Sequence, residues 1–361
     1  MSSVAIIHGS NDVYGASRVL LDEVRALRRL GHSVTVILPA DGPLTALLGR
    51  LRVVVHIEPS MSVLRKSALR DSLRSLRLPR AARKADVVVL WTLAVAHYSV
   101  PLRLFRRRFY LAVHELLPGR LGAVLVKSLL RSASYDLTSC SEAVKSWLVS
   151  SGVEAERIRV TYPVVDLEEV TAEPREPSIS SKVAVVARVN GHKGHLAVAR
   201  AFIRVAPPEA TLILAGSPYP GQEQHLSSLL DVVATDARVH YAGEIKSLSA
   251  LPSDVGLVAC FPSRPEPFGL VPVEAALRGI PSIGFADGGA SEALALVGGV
   301  SVDRGVDEDM AITEALAKWF ETEPDARPRP SLERVRSELT LEKRAQVLSK
   351  MNVWNARVTA T

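Results

Sequence analysis

Cysteine is scarce in this chain of 361 residues and occurs only at positions 140 and 260. Two cysteines in a chain of this length cannot form a disulfide framework, so we expect both to be reduced core residues of a cytosolic protein. No apolar run approaches the ~20 residues of a membrane-spanning helix. A strand-like run begins at residue 3, which leaves no room for a signal peptide. The sequence therefore predicts a cytoplasmic protein.

Two glycine-rich motifs of nucleotide-binding sheets are also absent. Neither HGSNDVYG (8–15) nor RVNGHKG (188–194) fits the Gly-x-Gly-x-x-Gly of a dinucleotide-binding turn, and no phosphate loop occurs. These absences argue against a dinucleotide-dependent oxidoreductase and against a phosphate-loop enzyme. Aromatic residues make up only 5% of the chain, and the basic runs lack the interleaved aromatics on which bases stack. We therefore predict no nucleic-acid partner.

Metal-binding patterns are missing as well. No cysteine or histidine cluster has the spacing of zinc ligands. Asp307, Glu308 and Asp309 look like a short acidic metal motif, but they precede the amphipathic run AITEALAKWF. Acidic residues at such a position cap a helix and suit its dipole. We predict no metal and no cofactor.

The dominant pattern that is present is an alternation of short apolar runs with helical patterns. The runs are rich in β-branched residues, as expected of parallel strands buried on both faces. In chain order they occupy residues 4–8, 33–38, 52–57, 86–90, 109–113, 136–140, 158–162, 182–187, 211–216, 237–243, 255–260, 281–285 and 298–302. This alternation predicts an α/β fold with parallel sheets and right-handed crossovers. The length of the chain suits two such domains.

The segment VDLEEVTAEPREPSISSK (165–182) interrupts the alternation. It contains two prolines, three serines and no sustained apolar period, which is typical of a linker. We predict a first domain over 1–168, a linker over 169–181 and a second domain over 182–340. The tail, 341–361, begins as an isolated helical pattern that we expect to pack back on the first domain.

Charge is distributed unevenly. Residues 1–170 carry 24 Lys and Arg against 15 Asp and Glu, whereas the rest of the chain carries 20 against 23. The run 61–84 has eight Lys and Arg with leucines at roughly helical spacing, and 103–109 adds four more cations. A basic amphipathic helix can lie on an anionic membrane, but it can also cover a sheet with its charged face in solvent. We predict peripheral association with an anionic membrane, at the inner face of the cell membrane, and leave the second interpretation open.

Polar residues follow a predicted strand in the second half of the chain, where ligands of open α/β sheets bind. Arg188 and Lys193 come after the run 182–187, and Lys193 lies in a loop with glycines. A forked guanidinium and a compact ammonium group suit a diphosphate, although a solvated loop would have the same composition.

The stretch PSRPEPFGLVPVEAALRGIPS (262–282) follows another predicted strand. It predicts a helix that starts near Gly269, whose first-turn amides around 268–271 form an anion site. Glu274, in the second turn, can accept hydrogen bonds from a ribose, and Glu266, before the turn, can accept them from sugar hydroxyls. The alternative is an exposed helix glutamate and a helix-start charge favoured by the dipole.

The pattern Glu266-x7-Glu274, with PFGL between the glutamates, resembles the signature of retaining GT-B glycosyltransferases of family 4, also called glycosyl transferases group 1. Arg188 and Lys193 are similar to the paired cations of that family. The resemblance covers nearly the whole chain, more weakly over 45–105. Further stretches occur in the family's order, namely GHSVTVILP (31–39), HEL (114–116), TSCSEAV (138–144), SDVGLVACFPS (253–263) and FADGGASEAL (285–294).

The resemblance implies a GT-B fold, in which two Rossmann-like, doubly wound domains face each other across a cleft. The first domain would bind the acceptor and the second the nucleotide-sugar donor. The implied activity is a retaining, metal-independent transfer of a hexosyl or related group to a glycan or lipid-linked acceptor, in cell-surface polysaccharide or glycolipid biosynthesis. The donor stays open among UDP-, GDP- and dTDP-sugars.

The resemblance also implies roles for individual residues. Arg188 and Lys193 would hold the donor diphosphate and stabilise it as a leaving group. Glu266 would bind the transferred sugar, and His114 would approach that sugar from the first domain. The other implied donor-binding residues are Gly15, Gly216, Ser217, Phe268, Gly269, Leu270 and Glu274.

Two positions depart from the family pattern. The first loop has Tyr14 where paired glycines are frequent, and Pro267 removes an amide donor where glycine is frequent. Tyr14 and Glu115 are the predicted acceptor-binding residues. Two other functions stay open: a GT-B sugar-nucleotide epimerase, which would need no acceptor, and a non-catalytic protein that binds sugar nucleotides.

Overall fold

The computed structural model describes most of the chain. The described residues are 1–64, 77–117, 119, 124, 128–130, 135–165, 181–219 and 221–355. Three predicted features fall partly elsewhere, because 65–76 of the basic run, 169–180 of the linker and 356–361 of the tail lie outside the described residues. The chain divides into two compact units, Met1–Val164 with Leu339–Thr361, and Val165–Glu338.

The first unit is built on a parallel sheet. Among the described residues its strands are β1 (Ser3–His8), β2 (Ser33–Leu38), β3 (Val54–Ile57), β4 (Val87–Trp91), β5 (Arg108–Val113), β6 (Asp136–Ser139) and β7 (Ile158–Val160). They lie in the order β3-β2-β1-β4-β5-β6-β7. β1 pairs in parallel with both β2 and β4, so the direction of winding reverses beside β1.

The second unit has a parallel sheet of its own. Among the described residues its strands are β8 (Lys182–Val186), β9 (Thr211–Ala215), β10 (Val239–Gly243), β11 (Leu257–Cys260), β12 (Ser282–Phe285) and β13 (Val300–Val302). Their order is β10-β9-β8-β11-β12-β13, so winding reverses beside β8. The thirteen apolar runs of the sequence all coincide with strands, and the ends differ by at most two residues. The prediction of two doubly wound α/β domains is confirmed.

Helices connect the strands. The described α-helices are α1 (Ala16–Arg29), α2 (Pro43–Arg50), α3 (Arg80–Lys84), α4 (Ser99–Leu104), α5 (Glu142–Ser150), α6 (His195–Val205), α7 (Glu223–Val233), α8 (Leu270–Ala276), α9 (Gly288–Val297), α10 (Glu308–Glu321), α11 (Glu333–Glu338) and α12 (Leu341–Ser349). None of them has both the length and the apolar character needed to cross a membrane.

Helix α1 shows how local sequence sets the bounds of an element. Its apolar stripe, which includes Leu20, Val24 and Leu27, is buried in the core of the first unit. The helix ends at Arg29, two residues before Gly31, whose φ of +83° is a conformation that favours glycine. The N–H of His32 bonds the carbonyl of Leu27 at 3.1 Å, which closes the helix in a Schellman motif.

Helix α12 belongs to the first unit and packs against α1. Arg344 of α12 is 2% exposed, and its Nε donates to Oε2 of the buried Glu23 at 2.7 Å. The same guanidinium donates to the carbonyl oxygens of Thr161 and Tyr162 at 3.3 and 2.9 Å. Tyr110 donates its hydroxyl to the other oxygen of Glu23. Buried charges need partners of this kind, so the pair fixes α12 to the unit.

Asp307, Glu308 and Asp309 form the start of α10, as the sequence predicted. The carboxylate of Asp307 accepts a hydrogen bond from the N–H of Met310 at 3.0 Å, which is the geometry of an N-cap. Within the described ranges, no group of three or more His, Cys, Asp or Glu side chains is arranged to hold a metal ion.

Candidate active site

A pocket lies at the carboxyl edge of the second sheet, between β8 and β11. Val185 and Val186 from β8 and Ala259 and Cys260 from β11 contribute to its lining. β8 pairs with β9 on one side and β11 on the other, so this is the topological switch point of the sheet. Open α/β sheets bind their ligands at such a point.

Lys193 and Glu266 meet in this pocket. Lys193 Nζ donates to Glu266 Oε1 at 2.6 Å, across 73 positions of the sequence. The side chains are 33% and 21% exposed, and ion pairs of that exposure contribute little to stability. The ammonium group of Lys193, a strong hydrogen-bond donor, instead lies beside the carboxylate of Glu266, a strong acceptor, in the lining of the pocket. One ligand that carries both an anionic group and hydroxyls can bind the two.

The position of Lys193 depends on the glycine that follows it. Gly194 has a φ of +85° and immediately precedes α6. A Cβ at this position would lie 2.2 Å from the carbonyl oxygen of Phe261, just after β11. The N–H of Ser263 bonds the carbonyl of His192 at 2.8 Å. Only glycine allows this approach, so the loop is held against the strand end and Lys193 enters the pocket.

The turn that carries Glu266 leads directly into α8. Gly269 precedes the helix with a φ of +88° and lines the pocket. Because glycine has no side chain, it does not cap the first-turn N–H groups, which are the groups that the sequence analysis predicted to bind an anion. Pro272 is the third helical residue, where a missing N–H costs little. Glu274 is half-buried in the second turn.

The start of α9 braces this turn. The N–H of Gly289 donates to the carbonyl of Glu266 at 2.7 Å. A Cβ on Gly289 would lie 2.0 Å from the carbonyl oxygen of Pro267, and one on Gly288 would lie 2.7 Å from that of Glu266. The paired glycines of FADGGASEAL therefore have a packing reason, which is to let α9 approach the turn.

Cys260 lines the same pocket, and its thiol is expected to be unreactive. Burial raises the pKa of its thiol, and the nearby charge of Glu266 raises it further. The thiolate is the nucleophilic form of cysteine, so this side chain stays a neutral part of the lining.

Arg188 belongs to a second group at the same edge, after β8 and β9. Its Cζ lies 3.4 Å from the centroid of the Tyr219 ring, so the guanidinium is stacked on the ring face. Gly216 approaches this segment closely, since a Cβ there would lie 1.7 Å from the carbonyl oxygen of Ala187. Ser217 accepts the N–H of Val189 through its carbonyl at 3.0 Å. The sequence predicted Arg188, Gly216 and Ser217 as site residues, but not Tyr219.

Ser217 also has a side-chain partner that the sequence did not indicate. Its hydroxyl donates to Oε2 of Glu244, just after β10, at 2.9 Å. The carbonyl of the preceding Gly216 accepts the hydroxyl of Tyr241 at 2.6 Å. Three neighbouring strand ends are therefore linked through this loop.

The predicted residues of the first unit lie at the carboxyl edge of its own sheet. Gly15 precedes α1 with a φ of +46°, and the neighbouring Tyr14 is 41% exposed. The N–H of Tyr14 donates to Asp12 Oδ1 at 3.0 Å, which fixes the loop. His114 follows β5 and is 9% exposed.

Trp91 connects two of these elements. Its ring packs on that of His114 with centroids 4.4 Å apart, and its Nε1 donates to the carbonyl of Ala16 at 2.8 Å. Burial lowers the pKa of His114 well below its usual value, and the positive charge of Arg344 adds to the effect. His114 is therefore a neutral imidazole that can exchange hydrogen bonds with an uncharged ligand.

Glu115 has a task within the fold that the sequence did not predict. Its Oε1 accepts the N–H of Leu93 and its Oε2 accepts the N–H of His114, both at 3.0 Å. Burial raises the pKa of its carboxyl to about 7, although these hydrogen bonds act in the opposite direction. The carboxylate thus links the segment after β4 to the end of β5.

The predicted site residues are thus divided between the two units. Lys193, Glu266 and Gly269 line the pocket of the second unit. The same unit contains Arg188, Gly216, Ser217, Phe268, Leu270 and Glu274, whereas Tyr14, Gly15, His114 and Glu115 belong to the first unit.

Comparisons with known proteins match both units. The model of Glycosyltransferase Family 4 matches residues 13–169, and the model of Glycosyl transferases group 1 matches residues 168–333. Together the two models span residues 13–333, so the chain belongs to the glycosyltransferases that they describe. The resemblance to family 4 and glycosyl transferases group 1 is confirmed, whereas retention of the anomeric configuration stays a prediction. The two matches contain every described strand except β1.

Solved structures resemble this glycosyltransferase over nearly its full length. HepE from Anabaena, in complex with UDP and glucose, has a TM-score of 0.73 at 21% identity, covering 98% of this chain and 96% of that chain. A glycosyltransferase from Rickettsia africae has a TM-score of 0.75 at 15% identity, covering 96% and 97%. Sucrose-phosphate synthase from Thermosynechococcus elongatus has a TM-score of 0.73 at 18% identity, covering 97% and 98%. These likenesses confirm the GT-B fold. No curated protein matches the chain.

Proposed function

We propose that this glycosyltransferase moves a hexosyl or related group from a UDP-sugar to a hydroxyl of a glycan or lipid-linked acceptor. The observation that carries the proposal is the 2.6 Å pair of Lys193 and Glu266 in the switch-point pocket. A UDP-sugar has a diphosphate for the ammonium group and sugar hydroxyls for the carboxylate. UDP as the nucleotide is supported by the solved complexes of HepE with UDP and with UDP-glucose.

The proposed roles follow from the chemistry of each group. Lys193 and Arg188 stabilise the diphosphate as negative charge develops on it, assisted by the N–H groups at the start of α8. Glu266 accepts hydrogen bonds from the transferred sugar, and Glu274 accepts them from the ribose. Because two cations and a helix start supply positive charge, the proposal needs no metal ion.

In the proposed reaction the bond between the anomeric carbon and the diphosphate oxygen breaks, and UDP leaves. The acceptor oxygen forms the new bond to that carbon from the same face, which retains the anomeric configuration. The acceptor proton passes to the departing phosphate oxygen. The electron pair of the broken bond stays on UDP, so no other base or oxidant is required.

We assign acceptor binding to the first unit, with Tyr14 as the exposed contact residue at its sheet edge. The neutral His114 would hydrogen-bond the transferred sugar. Glu115 is kept as a proposed acceptor-binding residue, and its carboxylate also accepts the backbone N–H of His114. The products would be cell-surface polysaccharides or glycolipids, made on the cytoplasmic side of the membrane.

The experiment that tests this function measures release of UDP from UDP-glucose in the presence of a panel of oligosaccharide and glycolipid acceptors. We expect Glu266→Ala to lose about a hundredfold or more of the activity, because it removes a group that contacts the reacting sugar. Glu314→Ala, an exposed glutamate of α10, is the matched control and should keep full activity.

Five results would contradict the proposal in whole or in part. Full activity of Glu266→Ala would show that Glu266 is not part of the active site. An epimerised sugar released from donor alone would identify an epimerase. Tight binding of UDP-glucose without turnover of any acceptor would identify a non-catalytic binding protein. Loss of activity in EDTA would refute metal independence, and an inverted product in the nuclear magnetic resonance spectrum would refute retention.

A further inference from the structure

Two adjacent apolar side chains project from the first unit at the end of α4. Leu104 is 76% exposed and Phe105 is 65% exposed. Single exposed apolar residues are common on protein surfaces, but neighbouring large ones indicate a contact with something else. Both belong to RLFRRRF (103–109), whose charge the sequence singled out but whose apolar residues it left unassigned.

The backbone at this turn holds the two residues outward. The N–H of Arg106 bonds the carbonyl of Arg103 at 2.9 Å, and the N–H of Arg107 bonds that of Leu102 at 2.8 Å. This Schellman motif places Arg106 at a φ of +50°, where glycine is the usual residue. A residue with a side chain is strained in this backbone conformation, so Arg106 costs conformational energy that glycine would not.

Cations surround the apolar pair. Arg103 and Arg106 flank it in the sequence, and both are exposed. Arg107 donates a hydrogen bond to the carbonyl of Ala85, which joins the turn to the end of α3. That helix has three exposed cations, namely Arg80, Arg83 and Lys84, and the exposed Asp86 follows it.

Helix dipoles explain only part of this surface. Arg83, Lys84 and Arg103 lie in the last turns of α3 and α4, where cations suit the partial negative charge of the helix end. That effect requires no apolar residue beside the cations. It therefore does not explain why Leu104 and Phe105 are exposed in the middle of the group.

We propose that the turn 103–106, together with α3, docks on an anionic lipid surface. Leu104 and Phe105 enter the interface, and the surrounding cations contact lipid phosphates. The phosphates of a nucleic acid would attract the same cations, but they offer no hydrocarbon region for the apolar pair. An acyl-chain boundary beside anionic headgroups suits both kinds of side chain.

The location in the fold is compatible with activity on the membrane. The turn immediately precedes β5, so it lies at the amino edge of the first sheet. Gly15 and His114 lie at the opposite, carboxyl edge, after β1 and β5. Docking through the turn therefore leaves the carboxyl edge uncovered. The inference uses no catalytic residue and does not depend on the proposed reaction.

The test is sedimentation of the full chain with vesicles of phosphatidylglycerol and phosphatidylcholine in equal parts, at low salt. We expect the wild type to bind, and binding to weaken as salt rises or when pure phosphatidylcholine is used. Leu104→Ser with Phe105→Ser should lower the partition constant at least about tenfold. Arg103→Gln with Arg106→Gln should lower it about 25-fold, since each cation near the surface contributes about fivefold.

Matched controls come from the second unit. Val306→Ser with Met310→Ser removes two exposed apolar side chains there, and Arg334→Gln with Arg336→Gln removes two exposed cations. Both double variants should bind vesicles like the wild type. Each variant is checked for an unchanged urea midpoint, so that loss of binding is not loss of fold.

Several outcomes would overturn the inference. Absence of wild-type binding to anionic vesicles at low salt is one, and unchanged binding by the Leu104 and Phe105 variant is another. A dimer in size-exclusion chromatography that the same variant abolishes would assign the surface to a second copy. Binding of single-stranded RNA that depends on Phe105 would assign it to nucleic acid.

Discussion

The stack of Arg188 on Tyr219 leads to a prediction that separates phosphate binding from nucleoside binding. The ring occupies the face of the guanidinium, with Cζ 3.4 Å from the ring centroid. The N–H groups at its edge stay directed in the plane, where they can meet phosphate oxygens. Tyr219 would then be a positioning residue, acting through Arg188 and not by touching the donor itself.

The perturbation is Tyr219→Leu, which removes the ring but keeps an apolar side chain. A cation–π contact at a partly exposed site contributes about 1 kcal/mol, and Tyr219 is 37% exposed. We expect the Kd of UDP to rise about fivefold, because about 1.4 kcal/mol corresponds to a tenfold change. The Kd of uridine should stay the same, because uridine has no phosphate for Arg188 to hold.

Calorimetric titration of UDP and nuclear magnetic resonance titration of uridine provide the two constants. Tyr219→Phe keeps the ring and should match the wild type within about twofold for both ligands. An unchanged Kd of UDP in Tyr219→Leu would refute the positioning role. An equal loss for UDP and uridine would show that Tyr219 maintains the loop and not the orientation of Arg188.

Three further predictions concern stability, each measured by urea unfolding. Arg344→Met should destabilise the first unit by about 3 to 5 kcal/mol, because it leaves the buried Glu23 without its cation. Gly216→Ala should cost at least about 2 kcal/mol in the second unit, since its Cβ would lie 1.7 Å from the carbonyl oxygen of Ala187. Burial raises the pKa of Asp22 from 3.8 to about 6, so the folded state retains its proton longer than the unfolded state. Stability should therefore fall by up to about 3 kcal/mol as pH rises from about 4 to about 6, and Asp22→Asn should remove that slope.

Each of these predictions has a control and a contradicting result. Adding Glu23→Gln to Arg344→Met should restore part of the lost stability, and a loss below about 1 kcal/mol in the single variant would contradict a buried pair. Gly305→Ala shares the positive φ of Gly216 but meets no atom within 4 Å, so it should cost less. A pH slope that persists in Asp22→Asn would show that another group titrates.

The arrangement of strands was predictable because it depends on local composition. A run such as 182–187 is short, apolar and rich in β-branched residues, and this length and composition favour a strand over a helix. The meeting of Lys193 and Glu266 was predictable only indirectly. Each follows a strand, and the carboxyl ends of parallel strands share one edge, but the neighbouring order of β8 and β11 comes from the fold.

Contacts between distant polar residues were not predictable from the sequence. Arg344 and Glu23 are 321 positions apart. The run LEKRAQVLSK was expected to pack back on the first domain, but nothing in its pattern marks Arg344 as a buried residue. One signal was available, because Glu23 falls on the apolar stripe of α1, three residues after Leu20 and four before Leu27. A charge on a buried stripe implies a buried partner, although the pattern does not identify which one.

The roles of Tyr219 and Glu115 were hidden for a different reason. Tyr219 lies in a loop with prolines, where no periodic pattern assigns a direction to the side chain. Glu115 stays a predicted acceptor-binding residue, but the sequence did not indicate that its carboxylate also accepts the N–H groups of Leu93 and His114. Which backbone N–H groups require a side-chain acceptor can be seen only when the conformation of the loop is known.

The most direct test of the donor site is a calorimetric titration of UDP into the wild type and into Lys193→Ala, with Lys318→Ala as the matched control. Lys318 is an exposed lysine of α10, so its removal should not alter the Kd. The proposed site predicts that the wild type binds UDP and that Lys193→Ala weakens binding about tenfold or more, since a charge-assisted contact is lost. Equal affinity in the wild type and Lys193→Ala, or no binding to the wild type, would contradict it.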